Sequence, residues 1–370
     1  MKYYIIAGEA SGDLHGSNLI KAIRKTDGYA NIRCWGGNMM ENAGATLVKH
    51  YRELAFMGFA EVISNLPTIM KNFRTCKEDI QQYGPDVLIL IDYPGFNLRM
   101  AKWAKLQGYK VVYYISPQVW AWKEKRVNTI KKYVDSMLVI LPFEKEFYEK
   151  WQYKVEYVGH PLAKHIADFK MQHLPKLPEW EGKRIIALLP GSRKQEISKK
   201  LPIMLSVCSL FPEYHFVIAK APGLEDSFYS EWTSVHTNVS MVSEQTYLLL
   251  SYACAALVTS GTATLETALF GVPQIICYKG NALSYAIAKR IVHIKFIGLA
   301  NLIMNKEVVK ELIQHELTTN NLQKELSKIL NDENYRKRIN EDYQALSVLL
   351  SLGGDASEHA ATAIQQLLQA

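Results

Sequence analysis

Two stretches of this chain combine residue types suited to holding an anionic leaving group. The first is Gly191-Ser192-Arg193, reached through the apolar run 185–189 (IIALL) and Pro190. Glycine allows close backbone approach, serine offers a hydroxyl and an amide, and arginine adds a planar fork that matches pyrophosphate oxygens. The second stretch is Ser260-Gly261-Thr262-Ala263-Thr264-Leu265-Glu266, which follows an AALVT strand and opens a helix. Free N–H groups and the positive end of the helix dipole favour phosphate or carboxylate there. Glu266, one turn in, could bind a ribose diol. A capping box led by Thr262 fails on spacing, because Leu265 stands where Glu or Gln is needed.

A different chemistry gathers in the first half. The apolar run 3–7 (YYIIA) enters Gly8-Glu9-Ala10-Ser11-Gly12-Asp13 and then a helix expected from Leu14. Asp13 or Ser11 as an N-cap accounts for one polar residue. It does not account for Glu9, Ser11, Asp13 and His15 crowded at one strand end, with His15 on the first turn and aimed at a cleft. Asp92 follows the strand 87–91 (VLILI) in Ile91-Asp92-Tyr93-Pro94-Gly95-Phe96-Asn97. Ligands of open α/β sheets bind beyond the carboxyl ends of strands. Asp92 is therefore placed as a general base that takes the proton of an acceptor hydroxyl. Capping a helix that begins near Asn97 fits less well, since Pro94 and Gly95 intervene.

The elements that must position these residues repeat. Strand, small-residue turn and helix occur near residue 8 and again near residue 190, and neither turn is GxGxxG or a Walker A loop. The expected fold is α/β, with two Rossmann-like domains facing a cleft. Strands are expected at 3–7, 31–35, 87–91, 111–115, 136–141 and 155–158, then at 185–189, 214–219, 238–242, 255–259 and 274–278. Helices are expected at 14–25, 97–107 and 144–151. Residues 161–184, with three prolines and no periodicity, read as a linker. From 306 onward the pattern is helical and polar, closing in a helix from about 355. This predicts a domain at 1–165, a second at 180–345, and a helical tail at 346–370 whose crossing back to the first domain is left open.

The 370 residues carry a net charge of +7, which points to an anionic partner: a membrane surface, a phosphorylated substrate or nucleic acid. The five cysteines are scattered without CxxC spacing, as expected of reduced core residues in a cytoplasmic protein with no metal site. His160 and His165 do not have the spacing of a helical metal pair. No signal peptide is expected. The longest apolar run, Leu248–Val258, falls short of the roughly 18 residues that a membrane span needs.

Two segments depart from the alternation. Residues 54–74 place Phe56, Met57, Phe59, Val62, Ile63, Leu66, Ile69, Met70 and Phe73 at helical spacing on two short segments hinged at Pro67, flanked by Lys71 and Arg74. They read either as a helix pair packed on the core or as an interfacial membrane contact. Residues 116–132 (SPQVWAWKEKRVNTIKK) couple two tryptophans to Lys123, Lys125, Arg126, Lys131 and Lys132. They fit a phosphorylated sugar or lipid headgroup, or a solvated helix face with tryptophan packed beneath it.

GEASGD (8–13), IDYPGFN (91–97), SPQVWAW (116–122), LPFEKEFY (141–148), VGHP (158–161), LPGSR (189–193), SGTATLE (260–266) and GLANLI (298–303) together resemble the lipid-A-disaccharide synthase family, in its order and over nearly the whole chain. SPQVWAW and LPGSR are the most specific of these. The resemblance implies a glycosyltransferase of the GT-B type. It would join UDP-2,3-diacylglucosamine to 2,3-diacylglucosamine 1-phosphate, forming a β-1,6 linkage with inversion and releasing UDP. Asp92 then matches the family's essential acid and Arg193 its essential arginine. Gly191 and Ser192, Ser260, Gly261, Thr262, Glu266 and Asn301 fall on donor-facing segments, and Glu9, Ser11 and His15 on the acceptor side. Gly95 stands where the family often has a second acid. No DxD cluster is present, so no metal or other cofactor is expected, and Arg193 with helix N-termini would replace Mg²⁺. The implied location is the cytoplasmic face of the inner membrane, as a peripheral protein that binds no nucleic acid; a homo-oligomer is compatible with it.

Two competing readings make different demands. A UDP-sugar 2-epimerase of similar fold has no use for an exposed apolar helix pair or for WAWKEKR. A basic binding protein without catalysis leaves Asp92 and the second phosphate cradle unexplained.

Overall fold

The computed structural model describes residues 1–54, 66–172, 175, 178–281, 285–286, 289–290, 292 and 294–369. The chain divides into two compact units, Met1–Lys164 with Leu350–Ala370, and His165–Leu349. Both are α/β with all-parallel sheets, as the alternating pattern predicts.

The first unit holds seven strands: β1 (Lys2–Ala7), β2 (Asn31–Gly36), β3 (Thr46–His50), β4 (Val87–Ile91), β5 (Lys110–Tyr114), β6 (Ser136–Val139) and β7 (Glu156–Tyr157). Their order is β3-β2-β1-β4-β5-β6-β7. Continuous apolar strands require cover on both faces, and Tyr3–Ala7 and Val87–Ile91 are buried throughout. The order reverses between β1 and β4, where Ala7 pairs in register with Ile91. The turns that leave these strands, at Gly8-Glu9 and Asp92-Tyr93, therefore emerge side by side at the switch point, where open sheets place their ligands.

The second unit holds β8 (Arg184–Leu189), β9 (Tyr214–Lys220), β10 (Val239–Ser243), β11 (Ala253–Thr259), β12 (Gln274–Tyr278) and β13 (Glu311–Ile313), in the order β10-β9-β8-β11-β12-β13. Its switch point lies between β8 and β11, with Leu189 opposite Val258. Gly191-Ser192 and Ser260-Gly261 leave that point together.

Several expectations need correction. Helices begin earlier than expected, at Ala10 and Pro94 instead of Leu14 and Asn97. Residues Pro161–Lys170 of the expected linker form a helix. A three-residue edge strand, β13, interrupts the helical tract after 306. Pro67 sits in the first turn of the helix Leu66–Tyr83, where its missing N–H is harmless, and the stretch 55–65 before that helix lies outside the described residues. Phe73 of that helix is core: it is buried and stacks on Phe96 at 4.3 Å, while Ile69 packs against the same cluster. Phe56, Met57, Phe59, Val62 and Ile63 lie outside the described residues.

The C-terminal helix Ala356–Gln369 packs on the helix Ala10–Thr26. Lys110 Nζ donates to the Leu367 carbonyl at 2.6 Å. Glycine is required where the chain returns: Gly159 has φ +92°, and a Cβ built on it would lie 3.0 Å from the Gly353 carbonyl carbon.

Candidate active site

In the first unit the β1 and β4 turns hold each other. Gly8 lies so close to the ring of Tyr93 that a Cβ there would overlap the ring carbons. Asp92 and Tyr93 both adopt left-handed backbone, at φ 43° and 48°. Such strain persists only where surroundings over-determine it. Here the Asp92 carbonyl accepts from Asn97 Nδ2 at 2.8 Å and from the Tyr113 hydroxyl at 2.5 Å. The fixed turn leaves the Asp92 carboxylate half-buried beside Glu9. Burial, and then the charge of Glu9, push its pKa up to about 7, against a hydrogen bond from the Tyr93 backbone. A carboxyl group poised there suits proton abstraction near neutral pH. Tyr93 is the residue before the helix, so Asp92 does not cap it. Gly95 is exposed, and a Cβ on it would meet open space.

The remaining residues of the N-terminal loop separate into different roles. Glu9 precedes the helix Ala10–Thr26, and Ser11 is exposed in its first turn. Asp13 caps another helix: its buried carboxylate accepts from the backbone of Gly37 at 2.8 Å, Met40 at 3.0 Å and Met39 at 3.2 Å, across the start of Asn38–Asn42. The expectation that Asp13 or Ser11 caps its own helix is thereby corrected. His15 is buried, and its partner in electrostatics is His160. Burial, and then His15, lower the His160 pKa to about 3, and His160 Nδ1 accepts from the Leu162 backbone at 3.3 Å.

The aromatic loop after β5 rests on a buried carboxylate that sequence reasoning did not single out. Glu144 accepts from the Leu141 backbone at 3.0 Å and from Trp120 Nε1 at 3.2 Å. Burial pushes it up to about 7 against those hydrogen bonds. Tyr148 pairs with Ser116 at 2.7 Å. Trp120 packs edge-on against Phe143, whereas Trp122 is 46% exposed with Lys123 Nζ 4.0 Å above its ring. The block LPFEKEFY carried the signal for Glu144, but its side-chain partner Trp120 is 24 residues away in SPQVWAW.

In the second unit, Gly191 has φ 124° and Gly261 has φ 143°, so both turns need glycine. Ser192, Gly261 and Thr262 are exposed, with Ser260 half-buried and its hydroxyl donating to the Ile297 carbonyl at 2.9 Å. The helices Lys194–Leu205 and Thr262–Phe270 begin behind Arg193 and Gly261 without a side-chain cap, leaving their first N–H groups open to an anion. The Arg193 guanidinium, 53% exposed, pairs with Glu196 at 3.2 Å. Glu266 accepts from the Tyr247 hydroxyl at 3.0 Å, and burial raises its pKa.

The Asn301 side chain serves the fold of its segment. Its amide is buried, donating to the Val309 carbonyl and to Glu311, both at 2.8 Å, and accepting from the Val308 and Val309 backbones. That fixes the segment after Gly298 and leaves the side chain facing the protein interior. Sequence reasoning also passed over Lys200, a buried cation hydrogen-bonded to Thr259.

A profile of the Lipid-A-disaccharide synthetase family matches residues 3–367. The lipid-A-disaccharide synthase of Geobacter sulfurreducens is 36% identical, with 98% of this chain and 96% of that protein covered. Lipid-A-disaccharide synthase 1 of Legionella pneumophila is 40% identical over 90% of this chain and 89% of its own. Among solved structures, a UDP-GlcNAc 2-epimerase from Neisseria meningitidis bound to UDP-GlcNAc superimposes with TM-score 0.68 at 13% identity, covering all of both chains. The glycosyltransferase of kitacinnamycin gives 0.70 at 13% identity, covering 99% of this chain and 98% of that one. These two share the fold alone. Identity over the full length, by contrast, is specific, and by it the chain belongs to the lipid-A-disaccharide synthase family of glycosyltransferases.

Proposed function

We propose that the chain joins UDP-2,3-diacylglucosamine to 2,3-diacylglucosamine 1-phosphate with inversion, giving the β-1,6 disaccharide 1-phosphate and UDP. The observation that carries this reading is the strained, clamped turn that holds Asp92 with its pKa raised to about 7. Asp92 takes the proton from the acceptor 6-hydroxyl as its oxygen attacks the donor C1. The bond from C1 to the diphosphate breaks on the opposite face, and its electron pair leaves with UDP. The first unit then supplies the acceptor side, with Glu9, Ser11 and His15. The second supplies the donor side, with Gly191, Ser192, Arg193, Ser260, Gly261, Thr262 and Glu266. Arg193 and the open helix N-termini neutralise the departing diphosphate in place of a metal ion. The acyl chains of both substrates account for a peripheral position on the cytoplasmic face of an anionic inner membrane.

The test mixes the purified protein with both lipid substrates in detergent and follows UDP and the disaccharide product, with and without EDTA. Equimolar UDP and product, unchanged by EDTA, are expected. Interconversion of the free UDP-sugar with little UDP released would favour an epimerase, and a need for added Mg²⁺ would overturn the metal-free reading.

A further inference from the structure

Lys200 lies on the helix Lys194–Leu205, yet its ammonium is buried, with a side-chain exposure of 4%. A buried lysine without compensating partners is costly, so its position calls for an explanation. Its polar contacts lie at the donor turns. The ammonium donates to the hydroxyl of Thr259, the last residue of β11, which runs directly into Ser260-Gly261. It lies 3.8 Å from Glu196 Oε2, and Glu196 Oε1 in turn holds Arg193 Nη1 at 3.2 Å. A Cβ built on Gly191 would sit 3.6 Å from Lys200 Nζ and 2.8 Å from Glu196 Oε2, so the pair lies directly under the Gly191 turn.

Thr259, Lys200, Glu196 and Arg193 thus form one continuous chain of polar contacts that joins the turn after β8 to the turn after β11. The sheet also links the two turns, with Leu189 opposite Val258. A flexible arginine at 53% exposure gains a defined direction from a carboxylate that is itself held from below. We propose that Lys200 is a positioning residue of the UDP-sugar site: through Glu196 it aims the Arg193 fork, and through Thr259 it sets the spacing of the two diphosphate-binding turns. The proposal rests on the reading of the second unit as the donor side. Lys200 has no access to the donor, so it acts through Arg193 and the turns and touches neither phosphate nor sugar.

The full-length protein is titrated with UDP by calorimetry, and donor and acceptor KM are measured with kcat. Lys200→Met, which keeps the length and removes the charge, should weaken UDP binding at least about tenfold and raise donor KM in parallel. Acceptor KM should stay within about twofold of wild type, and melting temperature should not track the loss. In the Arg193→Ala background the same substitution should cost less than about threefold, because its main route is already gone. Thr259→Val and Glu196→Gln each break one link at nearly constant volume and should weaken UDP binding by about two- to tenfold. They decide the matter should Lys200→Met fail to fold. UDP affinity within about twofold of wild type in a folded Lys200→Met or Glu196→Gln protein overturns the proposal, as does an undiminished penalty in the Arg193→Ala background. A wild-type protein that binds UDP but transfers no sugar refutes the proposed reaction and leaves the Lys200 titration decisive, whereas one that binds no UDP removes both.

Discussion

At the scale of single residues, Asp92 carries the heaviest demand. Its pKa is raised to about 7 by burial first and by Glu9 second, so half of it is protonated at neutral pH. A base must be unprotonated, so kcat/KM should rise with pH through about 7 and level off above. Asp92→Asn should lower turnover by ~10²–10⁴-fold while UDP affinity stays within a few-fold. Retention of more than about a tenth of the wild-type rate removes Asp92 from the base role. The same shift has a stability consequence of definite sign. A folded-state pKa above the unfolded value means the group favours folding when neutral, and this contribution disappears as pH rises through about 7. Asp92→Asn should therefore raise Tm at pH 8, by roughly 2–4 °C per kcal/mol relieved, and leave it nearly unchanged at pH 4. Glu9→Gln should move the activity midpoint to lower pH, since it removes one of the two causes of the shift.

At the scale of elements, the site depends on two turns that share space. Gly8 is pressed against Tyr93, and Tyr93 sets the left-handed turn that aims Asp92. Gly8→Ala should displace the Tyr93 ring, destabilise the fold by about 1–3 kcal/mol and lower activity more than the stability loss explains. Wild-type activity together with wild-type Tm in that variant would mean that the ring has room to yield. The sheet pattern behind these turns was readable from continuous apolar runs such as Val87–Ile91, because both faces are covered. What escaped reading has common physical causes. The strands β3 and β13 are short edge elements, and Thr46–His50 is only partly buried, so neither shows a strong period. Helix starts at Ala10, Pro94, Lys194 and Thr262 follow Glu9, Tyr93, Arg193 and Gly261, none of which caps with its side chain. Start signals built on capping side chains are therefore silent where open N–H groups are of use. Asp13 and Lys200 declare their roles through partners distant in sequence, Gly37 for Asp13 and Thr259 for Lys200.

At the scale of the whole molecule, the acylated substrates proposed above raise the question of whether the protein binds a bilayer surface. Among the described residues no helix is long and apolar enough to cross a membrane. The net charge of +7 favours an anionic surface. Among the described residues of the apolar stripe 54–74, the roles divide. Phe73 and Ile69 serve the core, whereas Met70 is 60% exposed, with Lys71 and Arg74 exposed beside it. Trp122 adds an exposed ring flanked by Lys123 and Arg126, the amphipathic pairing that suits a headgroup layer. Two or three large side chains in the interface would contribute roughly 1.5–3 kcal/mol each. Each basic residue near anionic lipid adds about 1 kcal/mol. Attachment of that kind is peripheral and weakens as salt is raised. Replacing Phe59, Ile63 and Met70 together with serine should move the protein from vesicles containing anionic lipid to the supernatant while Tm stays near wild type. Replacing Phe73 instead should lower Tm sharply, because its ring is buried and stacks on Phe96 of the core. Vesicle binding unchanged in the triple variant, or a large fall in its Tm, would return the stripe to the core and leave the basic surface to account for attachment alone.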